Sequence, residues 1–180
     1  MQFILKIIWL LLPAGVANIV PVLVRKINFL NYPIDANKKL FGQRIFGENK
    51  TWRGFFFGIL AAMAVIAWQR YAYIYSIIAK SISLFDYAAV NIYLVGFLFG
   101  FGALFGDLIK SFIKRRCGIA AGASFVPFDQ IDWVIGALLF SNYFFDTTII
   151  FCLAALVIGG LLHPLVNIIG YWLKLKPNRF

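Results

Sequence analysis

Apolar runs of membrane-spanning length alternate with charged clusters along this chain. Crossing the ~30 Å hydrocarbon layer takes about 20 apolar residues per helix. Windows of that kind fall at about Phe3 to Val24, Phe55 to Tyr75, Tyr87 to Ile109, Ile131 to Phe145 and Thr147 to Leu173. They predict an all-α fold: a polytopic membrane helical bundle of about five transmembrane helices, forming one domain over residues 1–180. The fourth window is short, and the gap around Asp146 is narrow enough for the last two to read as one segment. The first window has only Lys6 near its start and no small-residue cleavage site after a short apolar core, so it is expected to stay in the mature protein.

Composition supports the membrane assignment. With 62% hydrophobic and 13% charged residues, the chain carries more apolar surface than a soluble core of 180 residues can bury. Fourteen of the 17 basic residues fall between the first two windows, after the third, or in the tail, leaving Lys6, Arg70 and Lys80 for the other side. The positive-inside bias then predicts an external amino terminus and a cytoplasmic carboxyl terminus in the cell membrane. The same bias, with anionic head groups, accounts for many of the cations behind the +10 formal charge, which argues against nucleic-acid binding. Cys117 falls in a cytoplasmic loop and Cys152 within the last window, so neither a disulfide nor a thiolate metal site is expected.

Two cytoplasmic loops, about 25–53 and 110–130, hold nearly all the polar information. Turn signals stand at Asn31 to Pro33, Gly42 and Gly47 in the first, and Gly118 and Gly122 are backbone breaks in the second. Small residues recur four apart at Gly54 and Gly58, Gly96 and Gly100, and Gly102 and Gly106, the spacing of close helix packing.

The candidate chemistry lies at the membrane edge. On a helix continuing out of the third window, Asp107, Lys110, Ser111 and Lys114 share one face. The plainer explanation is a snorkelling helix end with Asp107 paired to Lys110 or Lys114. Asp129 and Asp132 follow Pro127 one turn apart. They fit helix N-terminal capping, and equally a hard divalent cation with oxygen ligands. In GENKTWRG, Lys50, Thr51 and Arg53 lie between glycines and suit phosphate, although the lysine is too far from Gly47 for a P-loop. His163 and Asn167, one turn apart beside Pro164, are either packing residues or the lining of a polar groove.

Six segments, PAGVANIVPVL, PID, FGQRIFGENKTWRG, GDLIKSFIKRR, PFDQID and HPLVN, together resemble the CDP-archaeol synthases, archaeal membrane cytidylyltransferases, over almost the whole chain. The likeness to bacterial and eukaryotic CDP-diacylglycerol synthases is more distant. Where their signature has His-Gly-Gly before its acids, Val126, Pro127 and Phe128 stand here. The resemblance implies a magnesium-dependent reaction in which an isoprenoid ether lipid phosphate attacks the α-phosphorus of CTP, giving CDP-lipid and pyrophosphate. It implies Asp129, Asp132 and Asp107 as ligands of Mg²⁺, with Lys114 and Arg115 beside Asp129 and Asp132 in catalysis. Lys50, Thr51, Arg53, Lys110 and Ser111 would complete the clamp on triphosphate and lipid phosphate, and apolar helix faces would hold the lipid chains. Two alternatives stay open: a CTP-dependent polyprenol kinase, which would release CDP, and a small anion transporter, for which an internal repeat would be expected and none is visible. The oligomeric state is open as well.

Overall fold

The computed structural model describes residues 1–120, 123–145 and 147–172. Gly122, Asp146 and the tail cations Lys174, Lys176 and Arg179 lie outside them. The described chain is helical: α1 (Gln2–Leu23, extended by a 3-10 turn over Val24–Lys26), α2 (Trp52–Tyr75), α3 (Ile77–Ile82), α4 (Ile92–Arg116), α5 (Phe128–Ser141) and α6 (Ile149–Trp172). Helix α4 packs on α5, α2 and α1, while α6 closes against α5 and α1. Ile7, Leu10, Leu11, Phe99, Trp133 and Val134 form part of the buried core. Leu60, Trp68, Leu139, Ile149 and Leu161 point outward, as a lipid-facing surface requires and a water-soluble bundle would avoid.

Among the described residues, three helical stretches are long and apolar enough to cross a membrane: Gln2–Lys26, α2 and α4. Helix α5 has 14 residues. At 1.5 Å per residue that is about 21 Å, short of the ~30 Å core. It starts at Phe128 and ends at Ser141, ahead of the hydropathy window at both ends.

The third window also shifts. Helix α4 starts at Ile92, where the Asn91 side chain accepts hydrogen bonds from the N–H groups of Tyr93 and Leu94 at 3.1 and 3.2 Å. Tyr87, apolar enough to join the window, instead lies in the preceding loop. Its ring is buried and stacks on Phe85. Hydropathy finds buried residues, and here burial comes from a loop folding inward.

The first loop has its own architecture. Strands β1 (Lys39–Leu40) and β2 (Gln43–Arg44) pair antiparallel through a two-residue turn with positive φ at both Phe41 and Gly42, the conformation that matches strand twist. Asp35, whose side chain is fully buried, accepts from Arg44 Nε at 3.1 Å and Arg44 NH2 at 2.6 Å, and from the backbone N–H groups of Asn37, Phe46 and Gly47. Burial opposes its ionisation, but these donors outweigh it and hold the carboxyl below the usual aspartate value.

Candidate active site

The site forms where α4 and α5 cross backbone to backbone. A Cβ on Gly106 would collide with the Asp132 carbonyl, and one on Gly136 with the Gly102 carbonyl. Glycine at these points lets the helices approach as small-residue interfaces do in membranes. The crossing brings the polar strip of α4 against the first turns of α5.

Lys110 Nζ stands among three carboxylates: 2.9 Å from Asp107 Oδ1, 3.1 Å from Asp129 Oδ1 and 2.9 Å from Asp132 Oδ2. Lys50, reaching in from the first loop, pairs with Asp107 Oδ2. Lys114 Nζ donates to both Asp129 oxygens at 3.1 Å and to the Ala123 carbonyl. Ser111 is buried on the same helix. Three acids and three ammonium groups thus meet at the junction of α4, α5 and the first loop.

Capping does not explain the two acids of α5. Pro127 occupies the cap position without a side-chain bond, and Asp129 lies within the first turn. The Asp129 carboxylate turns back to accept from the Phe125 N–H at 2.6 Å. Asp132 is buried, and its counterion, Lys110 at 2.9 Å, is shared with Asp107 and Asp129. A buried carboxylate left this way is costly, and such groups are retained for chemistry more readily than for stability.

No three His, Cys, Asp or Glu side chains among the described residues form a ready metal cage. The donor set nevertheless fits a hard divalent ion. It is all oxygen, and its three carboxylates already surround one cationic group.

Other expected residues have different neighbours. Thr51 Oγ1 caps α2 by accepting from the Gly54 N–H at 3.2 Å. Arg53 is buried and donates to the Ile27 carbonyl at 2.5 Å, tying the start of α2 to the end of α1. His163 and Asn167 pair across one turn of α6 at 3.4 Å. Arg115, adjacent to Lys114, turns away from the acids and faces Gly47.

Asp35 and Arg116 have parts in the site that the sequence did not disclose. Arg116 donates to the carbonyls of Leu40 and Arg44 at 2.7 Å and of Gln43 at 3.3 Å, while lying over the Phe112 ring. Together with the Asp35 hub it pins the hairpin to the end of α4. PID and KRR were visible as motifs, but no periodic spacing links residues so far apart in the chain.

The whole chain, residues 1–180, matches the CarS-like family described as CDP-archaeol synthase. A CDP-archaeol synthase of Archaeoglobus fulgidus is 39% identical over 186 residues, covering 98% of this chain and 97% of the relative. One from Methanococcus maripaludis strain C7 is 37% identical, covering 94% and 92%. A solved structure described as an intramembrane enzyme for archaeal membrane lipids biosynthesis superposes with a TM-score of 0.69 at 31% identity, covering 89% of this chain and 92% of that one.

Proposed function

The chain belongs to the CDP-archaeol synthase family, and on that premise we propose that it catalyses CTP-dependent cytidylyl transfer to an unsaturated archaetidic acid, the geranylgeranyl ether lipid phosphate. The products are CDP-archaeol and pyrophosphate. The observation that carries the reading is the convergence of Asp107, Asp129 and Asp132 on Lys110, flanked by Lys50 and Lys114.

A phosphate monoester is already an anionic nucleophile. Its oxygen bonds to the α-phosphorus of CTP while the bond from that phosphorus to the bridging oxygen breaks, and pyrophosphate leaves with the electron pair. No protein nucleophile is required, so the work of the site is alignment and charge stabilisation. Lys50 and Lys114, one from the first loop and one from α4, oppose phosphate oxygens from two sides, with Lys110 between them. Ser111 is a hydroxyl donor on the same face of α4. Thr51 and Arg53 hold the loop that carries Lys50. Asp107, Asp129 and Asp132 would hold Mg²⁺, which supplies Lewis-acid stabilisation of charge on the transferring phosphoryl group.

The lipid chains fit apolar faces between helices, with His163 and Asn167 as candidates for a polar groove. The distribution of basic residues supports a multi-pass protein whose site opens to the cytoplasm, where CTP is found. The test incubates purified protein with each NTP, Mg²⁺ and either geranylgeranyl-ether or acyl phosphatidic acid. CDP-lipid with stoichiometric pyrophosphate is expected. Release of CDP would identify a kinase, and no nucleotide turnover with any lipid would overturn the assignment.

A further inference from the structure

Where α1 ends and α2 begins, positive charge collects without a counterion. Arg25 and Lys26 close the 3-10 turn that extends α1, and both are exposed. Arg53, in the first turn of α2, is buried at 6% exposure and donates to the carbonyl of Ile27, the residue after Lys26, at 2.5 Å. Among the described residues none of these three cations forms an ion pair, and Arg53 Nε has no hydrogen-bond partner. The acids nearest in the chain or in the site are committed elsewhere: Asp35 to Arg44, and Asp107, Asp129 and Asp132 to lysines.

We propose that this junction of α1 and α2 holds the head group of an anionic phosphodiester lipid of the surrounding membrane, on residues other than those that gather around Lys110. A guanidinium keeps its charge when buried, and leaving it without an anion is costly. A phosphodiester at the adjoining surface supplies the missing negative charge, with Arg25 and Lys26 as its exposed partners. Basic residues at the end of a membrane helix attract anionic lipids in this way.

The apolar neighbours suit the same ligand. Phe29 folds onto α2, edge to face with Phe56 at 5.7 Å and Phe57 at 6.3 Å, and Trp52 lies 6.4 Å from Phe55. Phe29, Trp52 and Phe56 nonetheless stay exposed. Aromatic rings at helix ends settle at head-group level, so these rings offer a seat to the upper part of a lipid chain. The segment between them is fixed. Leu30 and Tyr32 give their carbonyls to the N–H groups of Arg53 and Trp52 at 2.8 and 3.0 Å. Those bonds occupy amides at the start of α2, so an arriving anion meets side-chain cations there and not free helix-terminal donors.

A membrane lipid fits this place better than the reacting lipid does. The reacting phosphate must reach the acids to meet CTP, whereas a bulk lipid needs only a cationic surface and outward-facing rings. Such a site can exist whether or not the chain transfers cytidylyl groups.

Trp52 is the reporter for the test. Purified protein in neutral detergent is titrated with chain-brominated phosphatidylglycerol or, as the zwitterionic control, chain-brominated phosphatidylcholine, and Trp52→Phe isolates the share of quenching that belongs to Trp52. Half-maximal quenching of Trp52 is expected at an about tenfold lower mole fraction of the anionic lipid. Arg25→Gln with Lys26→Gln should abolish that preference, while Arg25→Lys with Lys26→Arg, which keeps both charges, should retain most of it. Lys26→Gln alone, with a partial loss, decides the matter if the double variant is unstable. Equal quenching by the two lipids in the wild type would reduce the rings to ordinary interfacial anchors and overturn the site. A preference that survives loss of both cations would overturn it too. Displacement of the brominated lipid by stoichiometric geranylgeranyl-ether phosphatidic acid, but not by phosphatidylglycerol, would assign the junction to the reacting lipid instead.

Discussion

Two of the polar centres buried among the described residues are built on opposite plans. Towards the far end of α2, Gln69 is fully buried, donates to the Trp9 carbonyl at 2.7 Å and accepts from the Tyr87 hydroxyl at 3.2 Å. Its groups are neutral and paired, and the orphan on the same helix as its Trp9 partner is a single indole N–H. At the α4–α5 crossing, three carboxylates and three ammonium groups crowd together, and the three acids share Lys110. Hydrogen-bonded neutral groups hold elements in register at small cost. Charges left partly uncompensated cost stability and gain reactivity towards an incoming ion or phosphate. The contrast is the one expected between a structural polar centre and the proposed chemical one.

The contrast breaks most sharply at the acids. Asp129→Asn and Asp132→Asn should each lower CDP-lipid formation by about a hundredfold or more, because a lost carboxylate weakens both cation binding and charge stabilisation. Thermal stability should hold or rise for Asp132→Asn, where an amide relieves a buried charge crowded by Asp107, and fall for Asp129→Asn, which weakens the hold on Lys114. A Mg²⁺ titration run beside the melting curves checks both, and near-normal turnover with unchanged Mg²⁺ dependence would return these residues to structure. Lys50→Ala and Lys114→Ala should cost about ten- to a hundredfold in kcat/KM, and wild-type kinetics at limiting CTP and lipid would remove them from the site.

Smaller effects belong to the supports. Asp35→Asn should loosen the first loop by about 2 kcal/mol, through loss of charge-assisted hydrogen bonds, seen as faster amide exchange at Phe46 and Gly47. Because the folded-state pKa of Asp35 is lowered, its contribution is present above the unfolded value near 3.8 and disappears as pH falls through the folded value. Exchange protection that persists unchanged through that acid range would count against the hub. Gln69→Leu should cost about 1–2 kcal/mol of stability while the folded protein keeps its wild-type kcat. A loss of turnover without a loss of stability would dissolve the distinction between the two centres.

Much of this was legible in the sequence where a period exists to read. Asp107, Lys110 and Lys114 repeat at helical spacing, and they do share a face. The glycines of α4 sit where the helices touch. Asp129 and Asp132 were legible as a pair, but that Pro127 and not an acid stands at the cap position, with Asp129 turned back to the Phe125 N–H, needed the structure. Non-periodic contacts were hidden. Asp35 reaches Arg44 through a turn, and Arg116 meets carbonyls far back in the chain. Tyr87 was drawn into a span because hydropathy records burial and cannot distinguish a helix interior from an inward-folded loop. Thr51 and Arg53 have residue types suited to phosphate, and the structure gives both of them contacts that hold the loop.

The Asp107–Lys110 pair has a consequence for biogenesis. These residues lie one turn apart on a single helix, so α4 carries its own counterion when it partitions from the insertion machinery into lipid. Helix α5 contains two aspartates and no basic residue, and its neutralising charges reside on α4, which is synthesised first. Helix α4 is therefore expected to enter the bilayer as a self-sufficient segment, and α5 to follow only where α4 already waits to receive it. Lys110→Met should reduce insertion of α4, by leaving Asp107 without its in-helix counterion, and stable integration of α5 with it. Glycosylation sites placed after each helix would read this during translation, and equal integration of α5 in the variant would show that it enters without help from α4.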